Sequence, residues 1–150
     1  MIKVSEFISK DRIKIFEKGS EKKEIINKLA EMISKSDNVE NKDKFIKDIW
    51  ERESIMSTGI GLGIAIPHAR SKYIKDIVIS IGIAKDSIEY DALDGKPVSF
   101  IVMIAANESQ QKEYLRVLAK VALILKSKKK REKLLSANNI DDVYEVFKLI

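Results

Sequence analysis

The chain has 150 residues, 45% of them hydrophobic, and a formal net charge of +5 at pH 7. This length suits one domain, residues 1–150, with a substantial core, and the composition excludes a mainly disordered chain. With no cysteine and a single histidine, the chain has no disulfides, no thiolate metal site and no zinc ligand set. We therefore expect no metal.

The amino-terminal segment, residues 1–14, mixes charged residues with isolated apolar ones and lacks the continuous apolar stretch of a signal peptide. The apolar runs at 77–84 and 98–106 are too short to cross a bilayer as helices. These features predict a cytoplasmic protein.

Helices and strands alternate along the first part of the chain. Residues 13–16 predict an edge strand, and Ser20 is a candidate cap for a helix that continues to about Ser34 with its apolar residues on one face. Asn41 is a candidate cap for a second helix, whose apolar residues are Phe45, Ile46, Ile49 and Trp50. Both apolar faces need a sheet to bury them.

Further strands are predicted at 64–66, 76–84, 87–90 and 98–105, with a turn at Asp94-Gly95. The near-continuous apolar character of 98–105 is typical of a strand that is covered on both faces. The chain is therefore expected to form an α/β sandwich.

The last third of the chain is predicted to be helical. A long helix extends from about Ser109 to Lys126, and shorter helices follow near 130–137 and 141–149. Apolar residues at helical spacing in the long helix are Tyr114, Leu115, Leu118, Ala122 and Leu125.

Basic charge is concentrated between Lys126 and Arg131, immediately after the long helix. Cations at this point complement the dipole of the helix carboxyl end, and few aromatic residues interleave with them to stack on bases. We favour a solvated helix end over a docking surface for a protein or anionic lipid, and we expect no nucleic acid partner.

The only histidine, His68, follows Pro67 at the end of a short apolar strand. Because proline supplies no N–H, we expect this pair to end the strand and to present the imidazole at the rim of the sheet. A histidine with a pKa of about 6.5 is mostly neutral in the cytoplasm, and its neutral ring nitrogen is a competent nucleophile toward phosphorus. The alternative is an ordinary surface or hydrogen-bonded core histidine.

Three glycines precede His68 at alternate positions, Gly59, Gly61 and Gly63. Their main-chain N–H groups suit the oxyanions of phosphate, because no side chain intervenes. The spacing fits neither a nucleotide P-loop nor a dinucleotide fingerprint, which argues against nucleotide binding.

Several separated motifs agree in order and spacing with one family. Arg52-Glu53, then Ser57 to Gly61, then Gly63 to His68 resemble the phosphorylation-site pattern of the fructose/mannitol-type IIA components of the bacterial phosphoenolpyruvate-dependent sugar phosphotransferase system. The later motifs that are similar to family landmarks are Asp91 to Val98, Phe100 to Ala106 and Tyr114-Leu115. The resemblance covers nearly the whole chain, and the family includes a nitrogen-regulatory branch. It implies the same fold class, an α/β single-domain sandwich with a mixed β-sheet flanked by helices on both faces.

The resemblance also implies a chemistry. His68 is expected to accept a phosphoryl group from phospho-HPr on its tele nitrogen and to pass it to a IIB domain or protein, without a cofactor. The membrane enters only through a IIC partner. Arg52 stands 16 positions before His68, where the family has an arginine near the phosphoryl group, although it is otherwise interpreted as a surface arginine paired with an acid.

Many fructose/mannitol-type members have a second histidine at the position of Tyr114. A phenol donates one hydrogen bond but does not become cationic, so we expect the electrostatic part of phosphoryl stabilisation to be lost. The alternative is that Tyr114 only packs against the sheet. This departure weakens any assignment of mannitol as the sugar.

Supporting residues have two interpretations each. Thr58 either caps a turn or offers its hydroxyl to the ring or to phosphate. Glu53 either orients a ring N–H of His68 or holds the loop by pairing with Arg52. Three apolar residues, Ile55, Ile60 and Leu62, are candidates for a docking rim, with at least one of them expected in the core.

Two functions from different classes are favoured. The first is a transport phosphocarrier, a phosphotransferase component that drives sugar uptake. The second is a nitrogen-related regulatory IIA protein whose phosphorylation state controls partner binding. A third is a small-anion binding module whose histidine is never phosphorylated.

Overall fold

The structure is a computed structural model that describes residues 3–148. Within that range, two short 3-10 helices precede the first strand, at Val4–Glu6 and Lys10–Arg12. The six strands are β1 (Ile13–Phe16), β2 (Gly59–Gly61), β3 (Ile64–Ala65), β4 (His68–Arg70), β5 (Val78–Ile88) and β6 (Val98–Ala106). The five α-helices are α1 (Lys22–Ser34), α2 (Lys42–Ile55), α3 (Gln111–Lys126), α4 (Lys128–Leu135) and α5 (Ile140–Lys148). The predicted end of the last helix at residue 149 lies outside the described residues.

The six strands form one mixed sheet in the order β1-β5-β6-β3-β2, with β4 also paired to β6. Strands β1 and β5 are parallel, β5 and β6 are antiparallel, and both β3 and β4 run parallel to β6. The sheet confirms the expected α/β class, and β1 is the predicted edge strand.

Apolar side chains on the two faces of the sheet form two separate cores. Helices α1 and α2 cover one face, where Ile25, Leu29 and Phe45 are fully buried. Helices α3, α4 and α5 cover the other, where Val121 and Phe147 are fully buried. Because β6 lies between the two layers, seven of its nine residues are buried in an unbroken run from Phe100 to Ala106, as the sequence predicted.

The two amino-terminal helices begin differently from one another. Asn41 caps α2 as predicted, since its side chain accepts a hydrogen bond from the Lys44 N–H. The expected cap at Ser20 is wrong, because its hydroxyl donates instead to the Glu17 carbonyl and α1 begins at Lys22.

The two strands expected at 76–84 and 87–90 are one strand, β5. Its pairing with β6 is interrupted between Ile83 and Ile88, where the register shifts, and Ser87 has a positive φ of 57°. A bulge therefore bends one strand where the sequence indicated a break.

The glycine-rich segment forms a hairpin, which the sequence did not predict. Strands β2 and β3 are antiparallel and joined by Leu62-Gly63, both of which have positive φ angles of 57° and 75°. Two consecutive positive φ angles are typical of the type I′ hairpin turn, in which glycine is common because it adopts positive φ without strain.

Pro67 divides two short strands that pair with the same neighbour. Strand β3 ends at Ala65, as expected before a proline, but His68 opens β4 instead of following the last strand. The Pro67 carbonyl accepts a hydrogen bond from the Ile104 N–H at 3.0 Å, so the chain stays beside β6 although the proline donates nothing. Because β4 pairs only with β6 among the described strands, the imidazole lies at an edge of the sheet.

The basic run after α3 lies at the junction of two helices. Ser127 caps α4 by accepting from the Lys130 N–H, and the Arg131 guanidinium donates to the Leu125 carbonyl at the end of α3. This contact fits the interpretation as a helix end with complementary cations. None of the helices within residues 3–148 combines the length and apolar character needed to cross a bilayer.

Candidate functional site

His68 lines a surface cavity of about 430 Å³ between the carboxyl end of α2, strand β4 and the start of α3. The residues that line this cavity are Asp48, Glu51, Arg52, Ile55, His68, Ala69, Arg70 and Tyr114. The structure thus brings together the three residues that the sequence placed at the centre of the site, from three different elements.

The protonation of the His68 ring is set by a hydrogen bond to the main chain. Its Nδ1 lies 2.6 Å from the Ile66 carbonyl oxygen. A carbonyl oxygen only accepts, so Nδ1 carries the proton and Nε2 holds the free lone pair of the neutral ring.

Burial lowers the pKa of His68 below its usual value, and the positive charge of Arg52 lowers it further. The hydrogen bond to the Ile66 carbonyl and the charge of Glu53 act in the opposite direction and are outweighed. The ring is therefore neutral near pH 7, with Nε2 as its nucleophilic atom.

Arg52 lies in the last turn of α2, where its Nη1 donates to the Met56 carbonyl at 2.9 Å. The contact satisfies a carbonyl just beyond the helix end and holds one side of the guanidinium in place. It also fixes a positive charge beside His68.

Tyr114 lies on α3 with its ring centroid 5.7 Å from that of His68 and the two planes at 56°. Only 6% of the residue is exposed, and this burial raises the pKa of its phenol to about 12 against the opposing charges of Arg52 and Arg70. The phenol is therefore a protonated hydrogen-bond donor at any physiological pH.

Arg70 is the residue of the site that sequence reasoning missed. It lies on β4 two residues after His68, with buried Ala69 between them. Side chains at alternate positions of a strand share a face, so the spacing of His68 and Arg70 was the available signal once β4 was recognised as a strand. Its guanidinium carbon lies 6.0 Å from the centroid of the Tyr114 ring.

Glu53 holds the segment before the hairpin in place. Its buried carboxylate accepts hydrogen bonds from the Thr58 N–H at 2.9 Å, the Thr58 hydroxyl at 2.6 Å and the Tyr90 hydroxyl at 3.2 Å, and it forms an ion pair with Lys22 at 3.1 Å. Of its two interpretations, the structure favours the anchor, but the partners are Thr58, Tyr90 and Lys22 instead of Arg52. The Thr58 hydroxyl therefore donates to Glu53. Burial raises the pKa of the adjacent Tyr90 hydroxyl, and the charge of Glu53 raises it further.

The three glycines belong to the hairpin and are not among the residues that line the His68 cavity. A Cβ on Gly59 would lie 2.6 Å from the Ala92 Cβ, so that position needs glycine for close packing. The Gly59 N–H donates to the Ser57 hydroxyl. The glycines shape the loop between α2 and β3.

All three candidates for the apolar rim are exposed: Ile55 by 79%, Leu62 by 57% and Ile60 by 46%. The expectation that at least one is a core residue is wrong, because Ile55 is the last residue of α2 and the side chains of Ile60 and Leu62 are exposed on β2 and its turn, while the buried apolar residues of the hairpin are Ile64 and Ala65. Leu115, which we expected on the buried face of α3, is also exposed, because it directly follows buried Tyr114 on the helix.

The comparison with protein families decides the family to which the chain belongs. The sequence model of the family described as "Phosphoenolpyruvate-dependent sugar phosphotransferase system, EIIA 2" matches residues 6–149. The chain belongs to this family. The EIIA 2 assignment confirms the resemblance carried by the residues around Arg52, His68 and Tyr114.

Relatives in the EIIA 2 family include both sugar-specific and regulatory proteins. The chain is 32% identical over 145 residues to the "PTS system fructose-specific EIIABC component" of Bacillus subtilis; the match covers 97% of this chain and 23% of that protein. The crystal structure of nitrogen regulatory protein IIA-Ntr from Neisseria meningitidis superposes with a TM-score of 0.85 and 27% identity, covering 96% of this chain and 98% of that one.

A second solved structure shares the EIIA fold. The complex of enzyme IIAMTL with phosphorylated enzyme IIBMTL from Escherichia coli aligns with a TM-score of 0.81 and 19% identity, covering 95% of this chain and 98% of the chain that matches it. In that complex, a IIA protein of this fold is seen together with a phosphorylated IIB protein.

Proposed function

We propose that this protein is a phosphocarrier IIA component of a sugar phosphotransferase system. It accepts a phosphoryl group from phospho-HPr on Nε2 of His68 and passes it to a IIB domain or protein. It works in the cytoplasm as one domain, and it meets the membrane only through a IIC partner.

The hydrogen bond from His68 Nδ1 to the Ile66 carbonyl carries this proposal. It selects the tautomer in which Nε2 is unprotonated, and burial keeps the ring from taking a second proton. Since Nδ1 keeps its proton throughout, the ring gains and loses the phosphoryl group at Nε2 without a general base.

Stabilisation of the transferred group comes from the other cavity residues. As the group moves in line between two nitrogens, negative charge on its equatorial oxygens needs cations and N–H or O–H donors. Arg52 provides a guanidinium, and the buried phenol of Tyr114 provides a single hydrogen bond. Glu53 and Thr58 support Arg52 by holding the end of α2 against the hairpin.

The donor and the acceptor dock on the same surface in turn, because one histidine engages one partner at a time. The exposed side chains of Ile55, Ile60 and Leu62 supply the apolar contacts. The IIAMTL–IIBMTL complex, formed by a protein of the same fold, supports a IIB protein as the acceptor.

A second candidate function is a regulatory IIA protein whose phosphorylation state changes partner binding. The likeness to IIA-Ntr favours it, since this chain covers 98% of that protein at a TM-score of 0.85. The same His68 chemistry serves both functions, so only the fate of the phosphoryl group separates them.

The test is phosphorylation of the purified protein by phosphoenolpyruvate, enzyme I and HPr, with His68→Ala as the variant. Intact-mass spectrometry should show one acid-labile phosphoryl group on the wild type and none on His68→Ala, while circular dichroism confirms that the variant is folded. No mass increase with an active donor would refute the proposal.

Adding IIB domains to the phosphorylated protein then separates the two functions. Loss of the phosphoryl group to a IIB domain supports the transport carrier. Retention of the group with every IIB domain of the host supports the regulatory protein.

A further inference from the structure

One cation in the His68 cavity has no role in the proposal so far. Arg70 leaves the same face of β4 as His68, because the buried Ala69 between them points to the other face. Both arginines of the cavity, Arg52 and Arg70, therefore flank the nucleophile, one from α2 and one from its own strand.

Arg70 and His68 lie beside the same aromatic ring. Its guanidinium carbon is 6.0 Å from the Tyr114 centroid, and that centroid is 5.7 Å from the His68 ring. A guanidinium over a ring face is held by the ring quadrupole without giving up its N–H donors. The tyrosine is thus a platform that positions a cation beside the histidine.

We propose that Arg70 is a catalytic residue that binds an equatorial oxygen of the phosphoryl group on His68, with the Tyr114 ring as its platform. The proposal rests on the proposed function of His68. It assigns to this chain a second fixed charge in a site where a tyrosine occupies the position of a second histidine.

The existing contacts of the two arginines support a division of roles. Arg52 is tied to the Met56 carbonyl at 2.9 Å, whereas the hydrogen bond from Arg70 Nη1 to the Glu108 carbonyl is long, at 3.5 Å, and exposed. Arg70 therefore gives up little when it turns toward a phosphoryl oxygen.

The acids of the cavity do not neutralise Arg70. Asp48 accepts a hydrogen bond from the Ser71 hydroxyl at 2.6 Å, and Glu51 lies 3.9 Å from the Lys47 ammonium. Among the described residues neither carboxylate forms an ion pair with Arg70, so the charge of Arg70 is available to an incoming anion.

The step itself balances without a further reactant. The P–N bond of the donor phosphohistidine breaks and its electron pair returns to the donor ring, while the Nε2 lone pair of His68 forms the new P–N bond. The Nδ1 proton stays on the ring, hydrogen-bonded to the Ile66 carbonyl. The charge that Arg70 meets is that of the three equatorial oxygens.

The experiment compares Arg70→Ala and Arg70→Lys with the wild type, using two donors. Phospho-HPr requires protein docking, whereas phosphoramidate is a small donor that does not. Arg116→Ala is the matched control, because it removes the same charge from an exposed position two residues after Tyr114 and outside the cavity.

We expect Arg70→Ala to slow phosphorylation of His68 about tenfold or more with both donors, since a charge-assisted hydrogen bond in the transition state is lost. Arg70→Lys should recover part of the rate, because it keeps the charge but not the planar fork. Arg116→Ala should match the wild type.

Slowing with phospho-HPr alone would overturn the proposal and make Arg70 a docking residue. Wild-type rates for Arg70→Ala with both donors would also overturn it, while leaving the proposed function intact. If the wild type accepts a phosphoryl group from neither donor, both proposals fail together.

A double-mutant cycle tests the platform. In a Tyr114→Leu background, which removes the ring, Arg70→Ala should have a much smaller effect than in a Tyr114→Phe background, which keeps it. Equal effects of Arg70→Ala in both backgrounds would show that the ring does not position the guanidinium.

Discussion

Replacing Glu53 by alanine should destabilise the protein strongly, although the residue is charged and lies in the last turn of α2. Its side chain is only 3% exposed, and its carboxylate has four donor contacts from Lys22, Thr58 and Tyr90. The variant leaves the Thr58 N–H and hydroxyl and the Tyr90 hydroxyl without this acceptor in a buried position.

The loss of stability on replacing Glu53 is estimated from its buried ion pair with Lys22. Removing one partner of a buried ion pair costs about 3–5 kcal/mol, because the other charge is left without compensation. The Lys22 side chain is 24% exposed and its ammonium regains water, so the lower end of about 3 kcal/mol applies. For a chain of this size that loss lowers Tm by roughly 6–12 °C.

Thermal unfolding monitored by circular dichroism, with urea titration at 25 °C to give the free energy of unfolding, measures the effect. Glu51→Ala is the control, because that carboxylate is 63% exposed and forms only a solvent-exposed pair with Lys47. Its Tm should stay within about 1–2 °C of the wild type. A similarly small change for Glu53→Ala would refute the assignment of Glu53 as the anchor of the hairpin.

The pKa of His68 should lie below its usual value of about 6.5, and Arg52→Ala should raise it, because burial and the Arg52 charge both disfavour the imidazolium. Since the unfolded chain then binds this proton more tightly, His68 lowers folding stability as the pH falls below about 6.5. An NMR titration of this single histidine that gives a pKa of about 6.5 or higher would contradict the prediction. Changing Ile60 or Leu62 to Asp should slow transfer from phospho-HPr but not from phosphoramidate, with an unchanged Tm. The control Leu123→Asp, on the exposed surface of α3, should leave the rates with both donors unchanged. Normal rates with phospho-HPr for the Ile60 and Leu62 variants would remove both residues from the interface. Gly59→Ala should destabilise the fold by about 1–3 kcal/mol, because its Cβ would lie 2.6 Å from that of Ala92. In urea titrations, adding Ala92→Gly should restore part of the lost free energy of unfolding. An unchanged free energy of unfolding for Gly59→Ala alone would show that the hairpin moves freely to relieve the contact.

Sequence reasoning predicted the elements that are defined by local periodicity. The apolar faces of α1 and α2, the cap at Asn41 and the doubly covered strand β6 follow from the spacing of side chains along one segment. The residues of the candidate site were also accessible, because Arg52, His68 and Tyr114 stand in motifs that resemble the EIIA 2 family, and the structure places all three around one cavity.

Elements that depend on a partner strand were harder to predict. The two halves of β5 are joined by a bulge, and β4 is only three residues long and exists because β6 lies beside it. A strand of that length has no periodicity of its own, and the Pro67 before it indicated an end. Arg70 was missed for this reason, since its shared face with His68 requires β4 to be a strand.

The sequence by itself determined the α/β class and the family, and it indicated His68 as the candidate nucleophile, because these depend on residue types and on spacing along the chain. Only the tertiary structure decided which ring nitrogen of His68 is free, which groups surround Glu53 and which second arginine lies over Tyr114. The reason is physical: the hydrogen bond of 2.6 Å from Nδ1 to the Ile66 carbonyl joins residues only two apart, but it needs the chain on both sides of Pro67 to be held beside β6. The guanidinium 6.0 Å from the Tyr114 ring depends on the distance between β4 and α3, which no local pattern encodes.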